Sequence, residues 1–429
     1  MKKVIISNGF NKFPLAVAAE EAERRDDLSL LITGAYPTPG VRRLLGLPGL
    51  SGNSKLTRLA NRKAAVPDSK VKALWLPEAV QLIGARLSRL SSTRHVGARL
   101  DAAALRLYGS LCTKLLQRHR RAAIYHYRSG FGQESVRAAK ELGMITLCDH
   151  SIAHPGVLAH LIENHGRLPS AGAPRRMSRL ESDVLKDVDE ADYVLVNSEF
   201  VKTTFLNEGC ADERIRVIYQ GVSDEFLGFI DSSPGSRADN ASRAPELRLL
   251  FVGSVDRRKG ADVLLRALIN IDDLPWRLTI VGPVEGDLNN RYRRLLRDPR
   301  VSLAGTVSLR DLARYYLSAD VFVFPSRAEG SARVVFQALA SGCYVITTPN
   351  AGSIVEDGVH GSLVPPGDYH ALEAAIRQAV ADRGSLAEIG NRNAAIIRSR
   401  YRQRDYGEAL VQLYEALPRP PQAPQRVSD

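Results

Sequence analysis

Cysteine is scarce in this chain, with four residues in 429, and Cys112, Cys148, Cys210 and Cys343 lie far apart without a C-x-x-C pair. That spacing excludes a zinc ribbon and a disulfide framework, and it reads the four as reduced, mostly buried small hydrophobes. Aromatic residues make up only 6%. Leu, Val, Ile and Ala nevertheless raise the hydrophobic share to 44%, enough to fill interiors without metals or disulfides and to exclude wholesale disorder. No charge-free apolar run reaches the roughly 18 residues that a membrane-spanning helix needs. The opening MKKVIISNGF has too short an apolar stretch for a signal peptide, so a cytoplasmic protein is expected.

Acidic residues are nearly missing from one stretch. Between Val41 and Arg128 eighteen Lys and Arg face three acids, Asp68, Glu78 and Asp101, a local +15 where the whole chain is +12. The remainder is therefore slightly acidic, and one segment carries the excess. Solvated helix faces explain such a run, as do an anionic membrane surface, a phosphate-bearing acceptor or nucleic acid. Regular aromatic interleaving and helix-turn-helix or zinc-finger spacing are absent, which argues against nucleic acid. Segments such as VRRLLGLPGL and IGARLSRLSSTRHVGARL mix Leu with Arg as an interfacial amphipathic helix does.

At 429 residues the chain needs at least two cores. Short β-branched runs alternate with helix-period segments, the pattern of parallel α/β units. KKVIIS is followed by a loop and a helix that Pro14 opens; AAIYHY, MITLCD, YVLVNS and IRVIY continue the series to residue 222. Residues 223–246, with SSPGSRADNASRAPE, read as a flexible linker. A second Rossmann-like series, LRLLFVGS, RLTIVG, VSLAG, VFVFPS and YVITT, occupies 247–400. A helix over 401–417 and a Pro- and Gln-rich disordered tail over 418–429 close the chain. Two open α/β domains place the ligand site in the cleft between them, outside the carboxyl ends of the strands.

Two strand-to-helix loops carry the chemistry. In FVGSVDRRKGADVLL a strand ends at Gly253 and a helix opens near Ala261, so Arg257, Arg258 and Lys259 stand where cations and a helix amino end together favour a phosphate. It is no Walker loop, because G-x-x-x-x-G-K-[ST] is absent. In FPSRAEGSARVVFQALASG, Glu329 and Gly330 occupy the loop, a helix starts near Ala332, and Gln337 sits about five residues further, roughly 7 to 8 Å along the axis. A carboxylate at the helix mouth and a hydrogen-bonding side chain beyond it can hold two hydroxyl-bearing groups, with phosphates between them at the amino end. That arrangement suits a sugar nucleotide.

Across nearly its whole length the chain resembles the retaining GT-B glycosyltransferases of family four, with their E-x(7)-E motif. FVGSVDRRKG is similar to the family's phosphate loop, LAGTVSLRDLARYYLSADVFVFPS to its base-binding and following segments, and EGSARVVFQALASG to the motif block. TPNAGSIVEDGVHGSLVPPGD, VNSEFVKTTFLNEG and IRVIYQGV match flanking segments. The resemblance implies two Rossmann-like domains facing each other across a cleft, with the last helix returning toward the amino-terminal one. It assigns Glu329 to donor-sugar hydroxyls, Lys259 to the diphosphate and His150 to the sugar from the facing domain, and with Ser254 at the family's arginine position it leaves Arg257 or Arg258 to supply that charge. Gly253, Ser254, Arg257, Gly330, Ser331, Ala332, Arg333 and Gln337 fall on the donor side, Thr306 and Val307 at the base, and Gly9 and Asn11 on the acceptor side.

Three departures stand out: Gln337 replaces the second motif glutamate, Ser254 an arginine, and Ser353 a further glutamate. Charge on a departing diphosphate can be met by Lys259, the arginine pair and a helix end, so neither a metal nor another cofactor is expected, and no D-x-D pair follows a strand. No acid is marked as a nucleophile; the resemblance implies same-face attack, with a diphosphate oxygen helping to deprotonate the acceptor. The expected function is retaining sugar transfer from a nucleoside-diphosphate sugar to a glycan or lipid-linked acceptor, at the inner membrane face, in surface polysaccharide or glycolipid synthesis. A nucleotide-sugar epimerase and a catalytically silent nucleotide-sugar binder are the alternatives.

Overall fold

The computed structural model describes residues 2–11, 14–37, 59, 62–88, 90–170, 177–233 and 246–418. Part of the basic segment, at 41–58, 60, 61 and 89, lies outside the described residues, as do 234–245 of the expected linker and 419–429 of the expected tail.

The amino-terminal domain runs β1 (Val4–Ser7), α1 (Ala16–Arg24), β2 (Leu28–Thr33), β3 (Val71–Ala73), α2 (Trp75–Leu87), α3 (Arg94–Arg118), β4 (Ile124–Arg128), α4 (Glu134–Glu141), β5 (Ile145–His150), α5 (Pro155–Glu163), α6 (Arg179–Glu190), β6 (Tyr193–Val196), α7 (Glu199–Asn207) and β7 (Ile215–Val217). Its seven strands are parallel in the order β3-β2-β1-β4-β5-β6-β7. VIIS and ITLCDH are buried at every position because helices cover both faces, so these strands read as continuous apolar runs rather than alternating ones. Helix α1 starts at Ala16, two residues later than the Pro14 start expected, and the Leu15 N–H before it donates to Asn8 Oδ1 at 3.0 Å.

The second domain runs α8 (Asp224–Asp231), β8 (Leu247–Val252), α9 (Ala261–Asn270), β9 (Trp276–Val281), α10 (Gly286–Arg291), β10 (Val301–Gly305), α11 (Leu309–Ser318), β11 (Val321–Phe324), α12 (Arg333–Ala340), β12 (Tyr344–Thr347), β13 (Gly361–Leu363), α13 (Tyr369–Ala381), α14 (Leu386–Arg400) and α15 (Gln403–Ala416). Its strands are parallel in the order β10-β9-β8-β11-β12-β13. In both sheets the order reverses beside the first strand, between β1 and β4 and between β8 and β11, and crevices open at such switch points.

Two features join the domains. Helix α15 leaves the second domain and puts Tyr406, Leu410, Val411 and Tyr414 into a core with Val4, Ile6, Leu31 and Ile124. The two crossing segments lie together, Val222 N–H donating to the Tyr401 carbonyl at 2.9 Å and Gln403 N–H to the Val222 carbonyl at 2.8 Å. Helix α8 corrects the expectation of a linker from 223. Ser223 caps it, its Oγ accepting from Phe226 N–H at 3.3 Å, and Phe226, Leu227 and Ile230 enter the second core. The capping serine followed by Asp224 and Glu225 was a legible helix start.

Candidate functional site

The β8–α9 and β11–α12 loops meet at the switch point of the second sheet. Gly260 precedes α9 with φ of +71°, and a Cβ there would lie 1.8 Å from the Pro325 carbonyl oxygen. Glycine is required because the second loop runs against the backbone of the first. Arg327, 3% exposed, then laces the two loops together. Its guanidinium grips both carboxylate oxygens of Asp262 at 2.6 and 2.7 Å and bonds the Arg257 carbonyl, while its own N–H donates to the Arg258 carbonyl at 2.8 Å. Nothing in the motif marked Arg327 or Asp262.

The lacing brings Glu329 against the basic loop. One oxygen, Oε1, accepts from Arg258 Nη1 at 2.6 Å and from Lys259 Nζ at 2.7 Å, and Arg258 Nη1 also reaches the Ala328 carbonyl at 3.1 Å. The Glu329 and Lys259 side chains are 13% and 17% exposed, so the pair is screened from bulk water yet open on one side. Lys259 Nζ sits 5.1 Å from the centre of the Phe324 ring, and its stem runs past Gly253. The cluster carries one net positive charge. Arg257 turns elsewhere, pairing with exposed Asp287 at 3.4 Å, so of the arginine pair only Arg258 joins the cluster. Arg257 and Arg258 thus turn to different sides of the loop, which spacing alone does not reveal.

Other donor-side residues gather nearby. Ala332 N–H donates to the Ala351 carbonyl at 2.9 Å, and in the first turn of α12 Val335 N–H turns back to the Ala332 carbonyl at 2.8 Å. Gly330 abuts the opposite domain: a Cβ would lie 2.0 Å from the Ser151 carbonyl oxygen, and its own carbonyl accepts from Ser198 Oγ. Asn350 spans the same seam, donating to the Gly166 and Arg327 carbonyls at 2.7 Å each. Ser331 is half-buried and Arg333 exposed; Arg333 and Gln337 line a small cleft of about 60 Å³ with Val17, Gly221 and Gln403. Gln337 Oε1 accepts from the Tyr316 hydroxyl at 3.4 Å. Ser254 follows Gly253 at the end of β8, while exposed Thr306 and half-buried Val307 follow β10, two strands away.

His150 is not brought to this cluster by any contact. It is 3% exposed at the end of β5, with Nδ1 2.9 Å from Ser129 Oγ and its ring edge-on to Phe205. Burial, reinforced by neighbouring His154, lowers its pKa to about 4, so the ring is neutral at physiological pH. On the acceptor side, Gly9 N–H donates to the Tyr108 hydroxyl at 3.0 Å. Asn11 donates from its backbone to Glu78 Oε1 and from its side chain to Gln81, both at 3.2 Å. Glu78, 3% exposed, also accepts from Ala35 N–H at 2.6 Å and pairs with Arg62 at 2.7 Å, tying the loops after β1 and β2 to α2. This buried acid, one of three in the basic stretch, was readable only as an exception to its charge.

Two doubly wound parallel domains meeting across a cleft, with a phosphate-type loop facing an acidic strand-to-helix loop, define the GT-B architecture. Residues 246–382, in the carboxy-terminal domain, match the family model described as Glycosyl transferases group 1. The chain is similar to D-inositol 3-phosphate glycosyltransferases: 33% identical over 204 residues to that of Thermobifida fusca (strain YX), covering 42% of this chain and 45% of the relative. With that of Corynebacterium urealyticum the identity is 29% over 259 residues, covering 55% and 59%. The matches thus span about half the length of these relatives. Among solved structures, Anabaena Alr3699/HepE in complex with UDP is 17% identical with a TM-score of 0.64, covering 97% of this chain and all of that one.

Proposed function

We propose that the protein is a glycosyltransferase that moves a sugar from a nucleoside-diphosphate sugar to an acceptor held against the amino-terminal domain. The observation that carries this is the shared Glu329 oxygen, which aims Lys259 and Arg258 at one point beside the start of α12. Breaking a sugar–phosphate bond leaves negative charge on the diphosphate. Two fixed cations and a helix amino end offset that charge without reorganising during the reaction, the largest kind of catalytic contribution such a site makes. Glu329 has a second oxygen for a donor-sugar hydroxyl. Transfer then proceeds with retention, the diphosphate taking the acceptor proton, with no resident metal or other cofactor. UDP in the Anabaena structure supports a uridine diphosphate sugar as the donor.

A glycan or lipid-linked acceptor at a cytoplasmic membrane face, in surface polysaccharide or glycolipid assembly, is the reading favoured by α2. Trp75, Leu76, Leu82 and Ile83 are 43%, 61%, 48% and 52% exposed on that helix, within the basic segment. No helix among the described residues is long and apolar enough to cross a membrane. A silent nucleotide-sugar binder is favoured by two departures, Gln337 in place of an acid and Ser254 in place of an arginine.

The test is a chelator-treated panel of UDP-, GDP-, ADP- and TDP-sugars, reading thermal stabilisation and slow nucleotide release together. Stabilisation with release by one nucleotide is expected. Stabilisation without release, even after membrane lipid extract is added, would favour the silent binder, and no shift with any donor would overturn the reading of Lys259 and Glu329.

A further inference from the structure

A cavity of about 210 Å³ opens between the domains, lined by Arg257 but by none of Arg258, Lys259 or Glu329. Glu163 at the end of α5 and His165 just beyond it supply its amino-terminal wall, and Arg257, Arg266, Arg291 and Arg327 supply the other. Four guanidinium groups thus face one small space with two carboxylates among its lining residues, and one of those, Asp262, has both oxygens engaged by Arg327. Arg266 lies 3.8 Å over the Tyr369 ring and donates to its hydroxyl at 2.9 Å, and Arg291 lies 5.7 Å from the centre of the Tyr292 ring. Neither arginine makes an ion pair among the described residues. Aromatic stacking holds their planes while leaving most donors unspent. Arg327 is buried, and its Nε–H has no hydrogen-bond partner among the described residues. A buried donor of that kind calls for an acceptor that the chain does not supply.

We propose that this cavity is a second anion site, separate from the donor cleft, that binds a small phosphomonoester. The excess of two positive charges among its lining residues matches a phosphate dianion, and guanidinium forks match phosphate oxygens pairwise. Its volume exceeds that of phosphate alone and leaves room for a short polyol. Both domains line it, so a bound phosphate stabilises the arrangement in which they are together. Arg327 also carries the Arg257 and Arg258 carbonyls, so occupancy steadies the loop that presents Lys259.

The test is calorimetric titration of the full chain with inorganic phosphate and with glucose 6-phosphate, with and without saturating UDP. The double variant R266A/R291A, changed at two exposed positions, serves as the comparison. Expected is saturable binding of at least one probe with UDP present, weakened tenfold or more in the double variant, while the affinity for UDP changes less than twofold. Equal binding by both proteins, or no saturable binding of either probe, would overturn the proposal. Loss of UDP binding by the native chain would count against the donor reading instead, and the titrations without UDP would still report on this site.

Discussion

Replacing Lys259 with alanine separates the chemistry from the fold. In the structure Lys259 Nζ stands 2.7 Å from Glu329 Oε1 and Arg258 Nη1 2.6 Å from the same oxygen, so the variant leaves Glu329 with one cation. The carboxylate therefore stays paired, and the stability loss is of the order of one hydrogen bond to a partly buried charge, about 1 to 2 kcal/mol. For a domain of this size that lowers Tm by roughly 2–4 °C per kcal/mol. On the proposed function transfer suffers more, because the lost donor would act on charge that develops as the diphosphate leaves. Removal of one such group costs about 3–4 kcal/mol, or roughly 10²- to 10³-fold in kcat. K259R keeps the charge but exchanges a compact ammonium for a planar fork, so partial activity is expected. Nucleotide release from the stabilising donor, measured as kcat and KM beside a thermal melt, decides. A K259A variant with unchanged Tm and kcat within threefold of the native protein would refute the role given to this lysine.

Further outcomes follow from burial and close approach. His150 has its pKa lowered to about 4 by burial, so its contribution to stability is present above about pH 6.5 and is lost as pH falls toward 4, at up to roughly 1.4 kcal/mol per pH unit. Asp187, raised to about 6 by burial despite the Gly132 and Gln133 N–H groups it accepts, acts oppositely, stabilising below pH 4 and losing that contribution as pH rises through 6. Denaturant melts of H150Q should therefore show stability rising more on acidification from pH 6.5 to 4 than in the native protein; parallel profiles would mean that the buried ring is not the group responsible. Gly260→Ala should weaken UDP binding tenfold or more, because the Cβ meets the Pro325 carbonyl and forces the two site loops apart; unchanged affinity would show that their register is unimportant. Sedimentation with anionic vesicles at low salt should fall several-fold when Leu82 and Ile83, both exposed on α2, become serine, and native binding should weaken with salt. Equal sedimentation of both proteins would remove α2 from the membrane reading.

Ten of the thirteen strands among the described residues were legible because parallel strands buried on both faces are nearly continuous apolar runs; β2, β3 and β13 were not read, the last two being three residues long and β2 an apolar run passed over beside α1. The two site loops were legible for a similar local reason: Gly253 to Lys259 and Glu329 to Ala332 each sit between a strand end and a helix start. Helix α8 was passed over because its short apolar set, Phe226, Leu227 and Ile230, adjoins a polar stretch whose composition dominated the reading. That Arg258 rather than Arg257 turns to Glu329 depends on which side of one loop each residue occupies. Arg327 and Glu78 gain their importance only from partners 65 and 16 residues away in sequence, Asp262 and Arg62.

The amino-acid sequence by itself determined the layered α/β class, the two-core organisation and the positions of the anion-favouring turns, since these follow from periodicity and local backbone preference. Only the tertiary structure decided that one glutamate oxygen is shared by Arg258 and Lys259, that His150 is buried against Ser129 and Phe205, and that four arginines from separate elements line one cavity. Those outcomes depend on distances between segments remote along the chain, and such distances are set by the packing of both sheets and the return of α15 rather than by any local pattern.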